Sequence, residues 1–338
     1  MFLKLFKKDP LQVITFQSYG TNTHLYARGR ALEDESINLD AKNWFQLLVN
    51  SWKRFETDEI KFTILNIKLP DDSIYKVKTN NRGYFTIQTP SDSLAKLCNE
   101  EGWLSYEVAY DDVDVLKKIT SENRFPGQIL IPKNTTEYGV ISDIDDTILQ
   151  TGITSFLKLR VLFNTFFKPA SNRTPLKGAA EFYHQLHRGS TGKESNPIFY
   201  VSHSPWNLYR YLELFLQHNN FPKGPILLRD FPRPFSGKKN PQDKKPQKQH
   251  EIVNIFKMYP QLSFILIGDS GEHDGDIYIE IANQFPGRVL AIYLRSVNNK
   301  RKMEYVKKLM QNYDQTPFLL VKDSQEAIVH ARGSGFIV

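Results

Sequence analysis

The stretch Thr136–Gly152, TEYGVISDIDDTILQTG, places Asp143, Asp145 and Asp146 directly after the apolar residues Val140 and Ile141, with Thr147 and Ile148 following. Carboxylates a few ångströms apart repel and raise one another's pKa, so a buried strand that ends in three of them is costly to fold unless a cation offsets the charge. Asp is common where strands end, but turn chemistry alone does not call for Asp-x-Asp-x-Thr straight after a β-run. A second pair of carboxylates follows the apolar run Phe264–Gly268, in the order Asp269, Ser270, Gly271, Glu272, His273, Asp274. If the two runs are neighbouring strands, Asp143 and Asp269 converge, and Gly268 permits close backbone approach. Hard oxygen donors, with no cysteine and a single histidine nearby, select Mg²⁺ over zinc. His273 reads as a helix-start residue rather than a ligand.

Two further positions fit phosphate chemistry. The run Ile198–Ser202 leads into His203-Ser204-Pro205, where Ser204 reads as a helix cap with proline at the first helical position. Capping does not account for Ser202, whose hydroxyl and backbone N–H at a strand end suit a phosphate oxygen. Arg233–His250, RPFSGKKNPQDKKPQKQH, holds six Lys or Arg against one Asp. Its plain reading is a solvated charge run, yet a cation beside a carboxylate cluster and a bound phosphate has a role. Lys248 is the preferred residue, because it immediately precedes the helix that leads into the Asp269 run; Lys244 and Lys245 stay open as rivals. Gly189–Ser195, GSTGKES, resembles a nucleotide-binding loop only superficially: the first glycine is misplaced, and Glu194 stands where Ser or Thr must follow the lysine.

The elements that carry these residues differ between the two halves of the chain. Residues 1 to about 125 read as short strands, at Leu11–Ser18, His24–Arg28, Lys61–Lys68, Ser73–Lys78, Tyr84–Gln88 and Trp103–Ala109, rich in β-branched and aromatic residues. Turn chemistry at Asn80–Gly83 and Pro70–Asp72 separates them. The one helical patch is Asn43–Glu56. An antiparallel β-sandwich, serving to position or recruit, is expected, with Asp111, Asp112 and Asp114 in a solvated acidic loop and a linker near Ser121–Lys133. Residues 126–338 alternate strands (Tyr138–Asp143, Ile198–Ser202, Ile226–Leu228, Phe264–Gly268, Val289–Leu294) with helices (Pro175–Leu186, Pro205–Gln217, His250–Met258, Gly275–Gln284). That alternation implies a Rossmannoid α/β parallel sheet with helices on both faces, and in such sheets ligands bind at the carboxyl ends of the strands.

At 338 residues and a net charge of +7, the chain suits two domains and an anionic partner. Cys98 is the sole cysteine, so no internal disulfide forms, which suits a cytoplasmic setting. The opening residues MFLKLFKKDP lack the long apolar core of a signal peptide, and no run is long and apolar enough to span a bilayer. The basic residues show no aromatic interleaving of the kind that stacks nucleic-acid bases.

Taken together, Asp143-x-Asp145-x-Thr147, Ser202, Lys248, and Gly268-Asp269 with Asp274 resemble the four motifs of the haloacid dehalogenase (HAD) superfamily of phosphohydrolases. More narrowly, SDIDDTI, YVSHSPWNLY, ILLRDF and FILIGDSGEHDGDIY are similar to the catalytic domain of the actin-patch-associated phosphatidate phosphatases and their bacterial relatives; His203 departs from that pattern. The resemblance implies a HAD-like fold and a Mg²⁺-dependent phosphatidate phosphatase. It assigns Asp143 as nucleophile, Asp145 as acid–base, Ser202 and Lys248 as binders of the phosphoryl oxygens, and Asp143, the backbone carbonyl of Asp145, and Asp269 as metal ligands, with Asp274 orienting metal-bound water or Lys248. Asp146 receives no role. The alternatives are another phosphomonoester or a phosphoprotein as substrate, or a metal-bound scaffold without catalysis. The insert between the first two motifs is about forty-five residues, which argues for an open site reaching a large or surface-bound substrate. Phe156–Phe167, FLKLRVLFNTFF, is a candidate basic amphipathic helix for peripheral docking on membranes.

Overall fold

The computed structural model describes residues 11–33, 59–111, 122–144, 147–148, 178–229, 247–271, 273–297 and 299–338. The helical patch at Asn43–Glu56, Asp112, Asp114, Asp145, Asp146, Lys244, Lys245 and the stretch Phe156–Phe167 lie outside the described residues. The chain separates into two compact units, Met1–Lys133 and Asn134–Val338.

In the first unit, β1 (Leu11–Phe16), β3 (His24–Glu33) and β6 (Tyr84–Pro90) form one sheet in the order β1-β3-β6. The second sheet, in the order β2-β8-β7-β4-β5, comprises β2 (Ser18–Tyr19), β4 (Ile64–Lys68), β5 (Ile74–Lys78), β7 (Trp103–Tyr110) and β8 (Phe125–Leu130). Every neighbouring pair is antiparallel except β2 with β8. The alternation of apolar and polar residues turns one face of each sheet inward, and Leu25 and Phe85 from one sheet share a core with Leu65, Leu104 and Val108 from the other. This is the β-sandwich that the residue pattern leads one to expect. Gly83 closes the turn at Asn80–Gly83 with φ 71°, and a Cβ there would collide with the Ala31 carbonyl. Asp111 pairs with Lys76 at 2.7 Å on the surface.

The expected linker is in part a strand. Pro126 and Gly127 read as breakers, yet both lie in β8, where Tyr106 pairs with Gly127 and Glu107 with Pro126. A Cβ at Gly127 would strike the Tyr106 ring, so glycine marks a close approach here rather than a break.

The second unit is an α/β layer built on six parallel strands in the order β11-β10-β9-β12-β13-β14. They are β9 (Gly139–Asp143), β10 (Ile198–Pro205), β11 (Ile226–Arg229), β12 (Phe264–Asp269), β13 (Val289–Arg295) and β14 (Phe318–Val321), all parallel to their neighbours. The central strands β9 and β12 are buried along their whole length, which is why they read as continuous apolar runs rather than alternating ones. Among the described residues six helices accompany them: α1 (Ala179–Arg188), α2 (Tyr209–His218), α3 (Gln247–Met258), α4 (Asp274–Gln284), α5 (Lys300–Gln311) and α6 (Ser324–Gly333).

Successive strand residues point to opposite faces, and the aromatic contacts show both faces covered. Phe199 and Phe264 meet Tyr259 and Phe256 on the α3 side, with Phe256 and Phe264 ring centroids 4.5 Å apart. Tyr200 and Tyr293 face α1 instead, where Tyr183 stacks on Tyr200 at 6.4 Å and Phe182 meets Tyr293 edge-on at 5.7 Å. The chain leaves β9 for β10 and β11, then returns to β12 on the opposite side, which makes β9 the topological switch point. Beyond Leu294 the residue pattern yields no expected element, whereas the structure has α5, β14 and α6 there. Among the described residues no helix is long and apolar enough to cross a membrane.

Candidate functional site

Parallel register brings the strand ends level. Asp143 pairs with Val201 of β10, so Ser202 stands one residue beyond it. Ser142 pairs with Ile267 of β12, which brings Gly268 and Asp269 beside Asp143. Asp143, Asp269 and Asp274 are each fully buried, and one carboxylate oxygen from each lies within 4.8 Å of the others. The convergence expected from two neighbouring acidic strand ends is therefore present.

Lys248 holds this cluster. Its Nζ donates to Asp143 Oδ1 at 2.7 Å and to Asp274 Oδ1, and all three side chains are out of contact with solvent. The helix starts earlier than expected: Lys248 does not precede it but lies in the first turn of α3, on the side packed against β10 and β11. A lysine on a solvated loop would leave water only at an entropic cost; one fixed in a helical turn points inward by geometry.

Asp274 opens α4, and its Oδ2 accepts the Asp269 N–H at 3.2 Å. A Cβ at Gly268 would occupy the place of the Asp274 carboxylate, so glycine is required for that carboxylate to reach Lys248. Asp269 in turn accepts the Gly271 N–H, which curls the loop after β12 over its own carboxylate. His273 sits at the helix start with its side chain exposed, near Asp276, as expected of a residue that is not a ligand.

Ser202 is buried and its Oγ accepts the Ser204 N–H at 2.8 Å. Here the expectation for Ser204 fails. It is not a helix cap: β10 runs on through Pro205, a 3-10 turn follows at Trp206–Leu208, and α2 begins at Tyr209 without a side-chain cap. The hydroxyl doing the local bonding is that of Ser202, which tightens the backbone after the strand end. Asp145 lies outside the described residues.

Two neighbours, Tyr183 and Tyr278, carry no signal in the sequence, and a third, His203, stands out only as a departure from the family pattern. Tyr183 of α1 lies 2.5 Å from Ser142 Oγ, which donates to the Asp143 carbonyl at 2.7 Å, and so braces the strand end that bears Asp143. Tyr278 of α4 donates to the Ile267 carbonyl at 2.8 Å, and burial together with the Asp274 charge holds its phenol protonated. His203 is largely buried, and that burial, reinforced by the Lys248 charge, lowers its pKa to about 4 against the opposing pull of Asp274. His203 was legible only as a departure from a family pattern; the tyrosines lie on helix positions that read as ordinary core.

The donors available to a metal are carboxylate oxygens, buried, close together and free of sulfur, which fits Mg²⁺. Asp143, Asp269 and Asp274 are the residues placed to hold such an ion.

A fully buried cluster of carboxylates seated at the end of a doubly wound sheet is the site of an α/β protein that handles hard, charged ligands. Residues 138–296 match the family described as phosphatidate phosphatase APP1, catalytic domain. Phosphatidate phosphatase APP1 of Saccharomyces cerevisiae is 37% identical over 175 residues, 52% of this chain and 28% of that protein. An uncharacterized protein of Schizosaccharomyces pombe is 28% identical over 227 residues, 66% of this chain and 34% of that protein. The chain thus spans about a third of the length of these curated relatives. Among solved structures, DsGPDH of Dunaliella salina aligns with 57% of this chain and 36% of its own, at 15% identity and a TM-score of 0.35, too loosely to carry an argument.

Two measurements test the electrostatics. Lys248→Met strands two buried carboxylates and should cost about 3–5 kcal/mol in urea unfolding, part of which returns when Asp143→Asn and Asp274→Asn are added; no loss on the single change would contradict the ion-pair geometry. His203 has its folded pKa depressed, so between pH 6.5 and about 4 the unfolded chain takes up a proton that the folded chain refuses. Stability should therefore fall as pH is lowered, by about 2 kcal/mol from pH 6.5 to 5, and His203→Asn should lack that component of the pH profile.

Proposed function

We propose that the second unit is a Mg²⁺-dependent phosphatidate phosphatase of the HAD type, acting through an aspartyl-phosphate intermediate. The observation that carries this reading is the buried Lys248 bridging Asp143 and Asp274 at the end of the switch-point strand. The name of the yeast relative points to the lipid substrate.

In this reading an Asp143 carboxylate oxygen attacks phosphorus while the bond to the lipid alkoxide breaks. Asp145 gives its proton to that leaving oxygen, then takes one from the water that attacks the acyl phosphate, releasing inorganic phosphate and restoring Asp143. Lys248 already orients Asp143 by a 2.7 Å hydrogen bond, and its ammonium charge, with the hydroxyl and backbone N–H of Ser202, faces the equatorial phosphoryl oxygens. Bound Mg²⁺ supplies neutralisation of the charge on the transferring group. His203, neutral near pH 7, adds no charge beside the phosphate. Asp274 acts through Lys248 and through the Asp269 backbone rather than on the substrate.

The test is phosphate release from phosphatidate vesicles and from p-nitrophenyl phosphate, with Mg²⁺ and with EDTA. Release from the vesicles that EDTA abolishes is the expected result, with Asp143→Asn slower by about 10⁴-fold or more and Asp145→Asn by about 10²–10⁴. Asp143→Asn leaves Lys248 with Asp274, so the variant should stay folded at assay temperature. Release from p-nitrophenyl phosphate alone would shift the substrate to another phosphomonoester or a phosphoprotein; release from neither would favour a metal-bound scaffold.

A further inference from the structure

Helix α5 breaks a rule of helix electrostatics. The positive end of the helix dipole favours acidic residues in the first turn, yet α5 opens with Lys300, Arg301 and Lys302 and has no acidic residue there. Over its twelve residues it holds five basic side chains and one acidic, Glu304, a net +4 in a chain whose whole excess is +7. Folding alone gains nothing from that placement. An anionic partner would offset it.

The helix divides cleanly by face. Val306 is buried and Met303, Leu309 and Met310 are half-buried against the unit, whereas Lys300, Arg301, Glu304, Tyr305, Lys307 and Lys308 are exposed. Tyr305 keeps half of its surface in solvent while its hydroxyl bonds Asp276 at 2.6 Å, which leaves an aromatic ring standing among the lysines. Rings of this kind sit well at the headgroup level of a bilayer.

The first turn of α5 is tied to the acidic loop of the site. Lys302 Nζ donates to the Gly271 carbonyl, Ser270 Oγ contacts Met303 Sδ at 3.4 Å, and the Val297 N–H donates to Ser270 Oγ at 3.0 Å. Lys300 and Arg301 therefore stand at the rim of the loop that carries Asp269 and Asp274. We propose that the outer face of α5 docks on an anionic lipid bilayer and so brings the rim of the carboxylate site to the membrane surface. The inference deepens the lipid-phosphatase reading and rests on it for its biological sense, but not for its test. Basic residues near an anionic leaflet are attracted over about a Debye length, so docking of this kind is weakened by salt.

The full chain is sedimented with vesicles of phosphatidylcholine alone and with vesicles containing phosphatidylserine, which offers the site no phosphomonoester. The wild-type chain should pellet with the phosphatidylserine vesicles only, and less at high salt. The combined variant Lys300→Gln, Arg301→Gln, Lys307→Gln and Lys308→Gln should bind at least about tenfold more weakly. That variant should melt no lower than the wild-type chain, and should hydrolyse p-nitrophenyl phosphate as it does, because none of the four residues touches the site. Failure of the wild-type chain to pellet, or equal pelleting of chain and variant, would overturn the proposal. Salt-sensitive pelleting that the variant loses, with no phosphate release from any substrate, would support docking while removing the enzymatic reading.

Discussion

The buried ammonium of Lys248 is the constraint on which the second unit depends. Three carboxylates within a few ångströms of one another could not close over a dry interior without compensation. Lys248 supplies part of it by bonding Asp143 from one strand end and Asp274 from the start of α4. The requirement propagates outward. Residue 268 must lack a side chain so that Asp274 can reach the lysine, α3 must begin early enough to aim Lys248 at the sheet, and β9 must sit between β10 and β12 so that their ends face one another. A cation among the same oxygens would complete the balance and would also be the agent of phosphoryl chemistry, which ties the stability of the cluster to its use.

The carboxylates were legible in the sequence because their spacing conflicts with their surroundings. Asp143 and Asp269 end runs that can only be buried strands, and acids in such places need a reason. Lys248 was legible only in part: five lysines share one basic stretch, and nothing in their composition says that the helix begins at Gln247 and turns one of them inward. Ser204 misled because Ser-Pro resembles a helix start, while the strand in fact continues through Pro205 and the Ser202 hydroxyl takes the Ser204 N–H. Pro126 and Gly127 misled in the same way. Their local preference is for a break, but pairing with β7 and the packing of Tyr106 override it. Tyr183 and Tyr278 were invisible for a different reason. A tyrosine in a helix reads as core, and only tertiary geometry reveals that its hydroxyl braces a strand end.

Substrate and chemistry are separable in this molecule. The chemistry follows from donors, register and burial, all of which lie in the second unit. In the proposed reading, access to a lipid depends on what the rim presents, and there α5 contributes a charge pattern that helix stability does not explain. The β-sandwich closes on its own core.

The claim that Asp143 is the nucleophile is most directly tested by quenching the Mg²⁺-loaded protein in acid during turnover of phosphatidate and mapping the phosphoryl group by mass spectrometry. The account predicts an acyl phosphate on Asp143 that is present while substrate lasts and lost when it is exhausted. A phosphoryl group on another side chain, or none on the protein while phosphate is being released, would contradict it.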